Sequence, residues 1–206
     1  MFFPDVDKAD ESGFLGWSDS LNNEILLDAY QSGVFPWPQD EESVLWFAPP
    51  ERAVLQFSDF RIPKTLQRDL KKMPFTFTVN KHFESVIRHC SKAKRKDDGT
   101  WINEKIIKAY IDFHKAGYAW SFEALSPDGS LAGGLYGVLF DDFFAGESMF
   151  FLETGASKFA LVKTVQWLEK ERGLKWLDAQ IQNKFLASFG TKVISRSQYM
   201  ELLNNG

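Results

Sequence analysis

The 206-residue sequence has a single cysteine, Cys90, so no disulfide can form within the chain. That excludes a fold stapled by disulfides and suits a reducing compartment. It has only three histidines, His82, His89 and His114, scattered and without the Cys/His spacing of a metal site. There is no glycine-rich phosphate loop and no dinucleotide fingerprint. These gaps argue against a nucleotide-hydrolysing, metal-dependent or cysteine-nucleophile enzyme. No apolar run approaches the roughly 18 residues of a membrane span. The opening MFFPDVDKADES has acids where a secretory signal needs bases. A cytoplasmic protein with no membrane partner is expected. Repeats and low-complexity tracts are also absent.

What is present reads as a folded domain. Apolar residues make up 44% and charged residues 25%, an ordinary globular balance. The aromatic share is 16%, with 20 Phe and 7 Trp, which points to a Phe-rich core or a cleft lined with rings. The net charge of −4 is unevenly spread. Residues 1–60 carry 2 basic and 12 acidic side chains, residues 61–96 carry 11 and 2, and residues 97–206 carry 11 and 14. A concentrated basic segment can bind a polyanion although the whole chain is acidic, because nearby charge sets the local field. A solvated helix face and loop would look the same.

Pattern and punctuation predict a helix over Leu21 to Ser32, capped by Asp19 or Ser20 and ended by Gly33. Pro36, Pro38, Pro49 and Pro50 keep the next region out of helix, and RAVLQF reads as a strand. Ile62 to Met73 reads as a helix with Pro63 in its first turn and Pro74 past its end. Lys64, Arg68, Lys71 and Lys72 then share one side. A strand follows over Phe75 to Val79, then helices over Lys81 to Cys90 and Asn103 to Ala116, separated by the charged loop SKAKRKDDGTW. Tyr118 to Leu125, Leu131 to Leu139 and Phe143 to Met149 form an antiparallel meander. A long helix over Ala156 to Arg172, a strand over Trp176 to Gln180, a helix over Asn183 to Phe189 and a tail, Gln198 to Leu203, complete an α+β chain.

Three stretches could carry chemistry. Gly133, Gly134 and Gly137 in an apolar strand mark a bulge, a ligand's close approach or a tight sheet–helix contact. Glu147, within Phe144 to Phe150, faces solvent or sits hydrogen-bonded at a cleft. Asp178 and Gln180 are two apart on one strand, so both leave the same face, and a carboxylate there can orient the amide. A purely structural pair fits the same pattern.

Several segments, in order, resemble the bacterial leucyl/phenylalanyl-tRNA–protein transferase family. They are AYQSGVFPW, LWFAPPERAVL, GTWI, the AY…GYAWSFE stretch, GGLYG, GESMF, ASK, LDAQ and ASFG. The resemblance implies a small N-terminal α/β domain, residues 1–60, before an acetyltransferase-like (GNAT-like), antiparallel-rich domain, residues 61–206. It implies a cofactor-free, metal-free, monomeric aminoacyltransferase. Leu or Phe passes from aminoacyl-tRNA to proteins or peptides beginning with Arg or Lys, marking them for degradation. The family's catalytic pair falls on Asp178 and Gln180, and its acidic cleft residue on Glu147. The aromatic residues around the aminoacyl-adenosine fall on Trp37 and Trp101. Leu135, Phe144, Met149, Leu161 and Leu177 match the pocket for the transferred side chain, and Ser157 with Lys158 matches a Ser-Lys pair. The basic residues Lys64, Arg68, Lys71, Lys72, Lys94, Arg95 and Lys96 are expected to dock the tRNA body. The sequence departs from the family at Phe47 (usually Trp), Trp120 (His), Phe151 (Ser), Ala179 (Cys) and Phe185 (His), and these changes bear on substrate preference.

An aminoacyl ester yields an amide downhill without ATP, so the protein must chiefly hold an amine against the ester carbonyl. Such positioning supplies roughly 7–11 kcal/mol. An amide is barely basic, so Gln180 is expected to accept a hydrogen bond from the amine while Asp178 orients it, the proton leaving through the adenosine 2′-hydroxyl. Two other readings stay open: a related aminoacyl-tRNA-dependent acyltransferase with a different amine acceptor, and an inactive homologue that binds tRNA or protein.

Overall fold

The computed structural model describes residues 2–37, 43–93 and 101–205. After a 3-10 turn at Val6–Lys8 come β1 (Phe14–Ser18), α1 (Asn23–Gln31), β2 (Phe35–Pro36), β3 (Val44–Phe47) and β4 (Glu51–Gln56). Then follow α2 (Lys64–Leu70), β5 (Thr76–Val79), α3 (Phe83–Lys92), α4 (Glu104–Lys115), β6 (Ala119–Leu125), β7 (Leu131–Leu139) and β8 (Phe144–Phe151). The chain closes with α5 (Ala156–Arg172), β9 (Trp176–Gln180), α6 (Lys184–Ser188), β10 (Lys192–Ser195) and α7 (Arg196–Asn205).

Seven strands form the main sheet in the order β10-β4-β9-β8-β7-β6-β5, and β1-β3-β2 form a small second sheet. The α+β, mostly antiparallel architecture expected from the sequence is the one observed. Every neighbouring pair in the main sheet is antiparallel except β8 and β9, which run parallel. That parallel ladder joins only Phe144 to Leu177 and Ala145 to Asp178. Glu147 and Gln180 lie just past the point where it stops, and the candidate site opens there. β4, which the 1–60 division assigns to the N-terminal part, is hydrogen-bonded inside the main sheet between β10 and β9.

Both sheet faces are covered, so the central strands are buried on both sides. Tyr136, Val138 and Trp176 join a core with α1, α3, α4 and α7, while Leu135, Leu139 and Leu177 join a second core with α5. This two-sided burial explains why β7 reads as a nearly unbroken apolar run. Phe144 is almost fully buried in the second core, and its truncation to Ala would cost about 3–5 kcal/mol.

The glycines of β7 serve internal packing. A Cβ on Gly133 would stand 2.8 Å from the Cβ of Ala156 on α5, and one on Gly137 would stand 2.2 Å from the Ala145 carbonyl oxygen. The register also shifts between Tyr136 and Gly137. Of the readings open in the sequence, the bulge and the close helix contact are the ones realised. Glu123, buried in β6, accepts from Ser121 Oγ at 2.5 Å and Thr78 Oγ1 at 2.6 Å, and from the main-chain N–H groups of Lys81 and His82 ahead of α3. Its role is structural.

The local differences have simple causes. α1 is capped by Asn22, whose side chain accepts from Ile25 N at 3.0 Å, not by Asp19 or Ser20. α2 is shorter than its pattern suggested: Pro63 is its N-cap and Lys71 its C-cap, leaving Lys72 beyond the helix. β10 escaped the sequence reading because it is a mostly exposed edge strand with no alternating apolar face.

Candidate active site

A cavity of about 340 Å³ opens at the end of the β8–β9 ladder. One wall is apolar, with Leu135, Phe144, Met149, Leu161 and Leu177 from β7, β8, α5 and β9. Thr164, one turn after Leu161, lies beside them, its hydroxyl donating to Ala160 O at 2.8 Å. Trp37 and Trp101 stand on the lining too, with Phe35 beside them. The Trp37 ring meets Phe47 edge-on at 6.2 Å and Phe35 at 6.4 Å.

The other wall is polar and begins with Gln180. Its φ of 57° is left-handed, a conformation β-carbon sterics disfavour by about 1–3 kcal/mol. The Ile181 N–H closes a three-residue turn onto Ala179 O at 2.7 Å around it. Two carboxylates hold this turn. Asp178 Oδ1 accepts from the Gln180 main-chain N–H at 2.8 Å, and Glu147 Oε1 accepts from the Gln180 side-chain Nε2 at 2.6 Å. The amide of Gln180 is therefore held by Glu147, and Asp178 orients the main chain instead. The simple strand geometry expected for this pair ends at the left-handed residue. Gln180 itself stands on the cavity lining.

Glu147 is the hub of this wall. Tyr30 donates its hydroxyl to Oε1 at 2.6 Å, Tyr110 lies 3.4 Å from Oε2, and the two tyrosine hydroxyls are hydrogen-bonded to each other. Glu147 is half-buried and its remaining surface faces the cavity. Burial, aided by the nearby Asp178 charge, pushes its carboxyl up to about 7 against the hydrogen bonds from Tyr30 and Gln180. Burial and the same carboxylate raise both tyrosines well above the usual phenol range. Of the alternatives for Glu147, the cleft is the one realised.

Behind the wall, Asp178 is completely buried in an ion pair with Arg52, whose Nη2 lies 2.7 Å from Oδ2. Tyr199 on α7 donates to the same oxygen at 3.1 Å. Burial is the largest single influence on the Arg52 guanidinium and would lower it, but the charge and hydrogen bonds of Asp178, together with Tyr199 and Glu147, outweigh it and hold the group above its ordinary range.

The residues expected at the site separate clearly. Gln180, Glu147, Trp37, Trp101, Leu135, Phe144, Met149, Leu161 and Leu177 line one cavity, with Asp178 directly behind it. Ser157 does not line it and sits one helical turn before Leu161, while Lys158 is exposed. Lys64, Arg68, Lys71 and Lys72 are exposed on and just after α2, with Leu66 turned into the core. Lys94, Arg95 and Lys96 lie outside the described residues. Among the described residues, no three of His, Cys, Asp and Glu converge as a metal set would require.

The departures from the family pattern fall into two groups. Ala179 and Phe185 line the cavity, and Phe47 packs against Trp37. Trp120 lies off the lining: its indole donates to Gly117 O at 2.8 Å and its ring packs on Trp167. Phe151 is 64% exposed and does not reach the cavity. Sequence reasoning missed Tyr30, Tyr110, Arg52 and Tyr199. Arg52 did leave a signal, as a lone cation opening an apolar strand in a segment with few bases.

An apolar pocket facing a hydrogen-bonded amide, carboxylate and phenol set can seat an acyl group beside an incoming nucleophile, which is the work of a transferase. The chain belongs to the leucyl/phenylalanyl-tRNA protein transferase family: that family matches residues 54–204, and its N-terminal domain matches residues 19–50. The protein is an aminoacyltransferase. The leucyl/phenylalanyl-tRNA–protein transferase of Flavobacterium johnsoniae is 42% identical over 206 residues, covering 100% of this chain and 96% of the relative. That of a Shewanella species is 42% identical over 200 residues, covering 97% and 84%. Among solved structures, the GCN5-related glucosamine N-acetyltransferase region of a fungal β-N-acetylglucosaminidase aligns with 88% of this chain and 23% of its own. Its TM-score is 0.48 at 12% identity, a likeness too slight to argue from.

Proposed function

We propose that this protein transfers Leu or Phe from aminoacyl-tRNA to the N-terminal amine of proteins beginning with Arg or Lys, as a cytoplasmic monomer, and so marks them for degradation. The observation that carries the reading is the meeting, in one cavity, of Gln180, clamped by Glu147, with the apolar wall of Leu135, Phe144, Met149, Leu161 and Leu177. The donor side chain fills the apolar wall, and its terminal adenosine rests against Trp37 and Trp101. The acceptor amine hydrogen-bonds to the Gln180 carbonyl oxygen and attacks the ester carbon. A carbon–nitrogen bond forms, the ribose oxygen leaves, and the amine's proton ends on that oxygen by way of the 2′-hydroxyl. Positioning carries most of the catalysis, since no group in this scheme has to be a strong base. The exposed cations of α2 hold phosphates of the tRNA body. The first of the two domains supplies Phe35 and Trp37 to the cavity, while β4, though within residues 1–60, belongs to the main sheet of the second.

In the deciding experiment, the purified protein is given labelled Leu-, Phe-, Ile- or Val-tRNA and peptides differing only in their first residue. Leu and Phe should transfer to peptides beginning with Arg or Lys. Ile and Val, branched next to the backbone, should be poorer by about 1–3 kcal/mol in kcat/KM. Ile serving as well as Leu would refute the pocket, and transfer to none of the peptides would refute the function.

A further inference from the structure

Asp178 is buried behind the cavity, and what surrounds it is arranged around a single free direction. Arg52 Nε reaches Oδ1 at 3.0 Å and Oδ2 at 3.2 Å, and Nη2 reaches Oδ2 at 2.7 Å. With the Tyr199 hydroxyl also on Oδ2, that oxygen is fully engaged, and Oδ1 turns to the Gln180 main-chain N–H. A carboxylate alone can rotate about its last bond; a planar guanidinium fork bonded to both oxygens fixes that rotation. The fork is itself fixed, lying 4.5 Å from the ring centres of both Phe35 and Tyr199, with Nη1 donating to Gly33 O at 3.2 Å.

We propose that Arg52, with Tyr199 as a second clamp, is a positioning residue for aminoacyl transfer. It sets the angle of the Asp178 carboxylate that holds the left-handed turn at Gln180, and thereby aims the Gln180 amide at Glu147 and the cavity. Stability alone gives little reason for such a group, because a buried ion pair costs so much desolvation that apolar residues of the same volume often serve as well. What apolar residues cannot do is hold a strained N–H in one direction. Arg52 also ties the Gly33–Phe35 segment, which supplies a cavity wall, to the strand that carries Gln180. The proposal rests on reading Gln180 as the group that meets the amine.

The test compares wild-type protein with Arg52→Met, Arg52→Lys, Tyr199→Phe, Asp178→Asn and the double variant Arg52→Met/Asp178→Asn. Single-turnover transfer from a minimal aminoacyl-adenosine donor to an acceptor peptide is measured beside the unfolding midpoint. A small misplacement costs about 10²-fold in rate, so Arg52→Met should lose about that much kcat with the donor KM little changed. Arg52→Lys should fall between it and wild type, because one ammonium cannot replace the fork. Tyr199→Phe, which removes a single hydroxyl, should lose less than Arg52→Met. The double variant should be no slower than the slower single, because the two side chains act as one unit. Should Arg52→Met fail to fold, Arg52→Lys and Tyr199→Phe decide the matter. Folded Arg52→Lys and Tyr199→Phe proteins at wild-type rate, or losses that multiply in the double variant, would overturn the positioning role. Wild-type protein that transfers nothing would instead overturn the transferase reading on which it rests.

Discussion

Arg52 and Lys72 are both cations, separated by twenty positions, and they carry charge under opposite conditions. Arg52 is 2% exposed, with its guanidinium bound to Asp178 on one side and to Gly33 O on another. Lys72 stands in water just past α2, near the exposed Lys71, Arg68 and Lys64. A buried charge must be matched by fixed partners, so its surroundings are rigid and specific. An exposed one needs no partner in the protein and stays available for a polyanion, at the cost of being screened by salt. In the proposed function, one region therefore sets geometry and the other sets encounter.

The sharpest way to break this contrast lies in the buried region. Gln180→Ala should lower kcat by about 10²–10³ while changing KM little, since its hydrogen bond tightens as the amine attacks. Asp178→Asn should cost a comparable amount, and the pair together little more than either alone. Stable variants at normal single-turnover rate would end the assignment.

A smaller effect concerns Glu147 and pH. In the unfolded chain its carboxyl ionises near 4.5, but in the folded protein only near 7. Between those values the folded state binds more protons than the unfolded state, so stability should fall as pH rises from 4.5 to 7. The loss is at most about 3 kcal/mol, less whatever water in the cavity screens. Glu147→Gln should remove that slope. Denaturant unfolding of both proteins across this range checks it, and parallel curves would show that the carboxyl is not perturbed.

The smallest effect belongs to the exposed region. Lys71→Ala/Lys72→Ala should raise KM for aminoacyl-tRNA and flatten its logarithmic salt dependence by about 0.7–0.9 for each phosphate no longer neutralised. Activity on a minimal aminoacyl-adenosine donor should be nearly unchanged. Equal impairment with both donors would erase the distinction between the regions.

The apolar wall of the site was legible in the sequence because its residues sit in strongly patterned elements. β7, α5 and β9 run over Leu131–Leu139, Ala156–Arg172 and Trp176–Gln180, the bounds that period and punctuation predicted. Gln180, Glu147 and the five apolar residues, assigned by resemblance, came together in one cavity. The polar wall was much less legible. Tyr30, Tyr110 and Tyr199 come from α1, α4 and α7, and nothing in their local sequence distinguishes a hydrogen-bonded buried tyrosine from a core aromatic; Arg52, on β4, stood out only as a lone cation. The relation between Asp178 and Gln180 also escaped a rule based on strand periodicity, because that rule assumes ordinary backbone at both residues.

By itself, the sequence determined the α+β class, most helices and strands and the uneven charge, because these follow from local periodicity, turn chemistry and composition, while the candidate residues came from its resemblance to a family. Tertiary structure alone decided that Glu147 clamps the Gln180 amide, that Asp178 holds the main chain, and that Arg52 and Tyr199 hold Asp178. The hydrogen bonds that define this set join residues up to 126 positions apart. Hydrogen bonding is short-ranged and directional, so which distant side chains meet depends on how the sheet and its covering helices pack, and no local pattern encodes that.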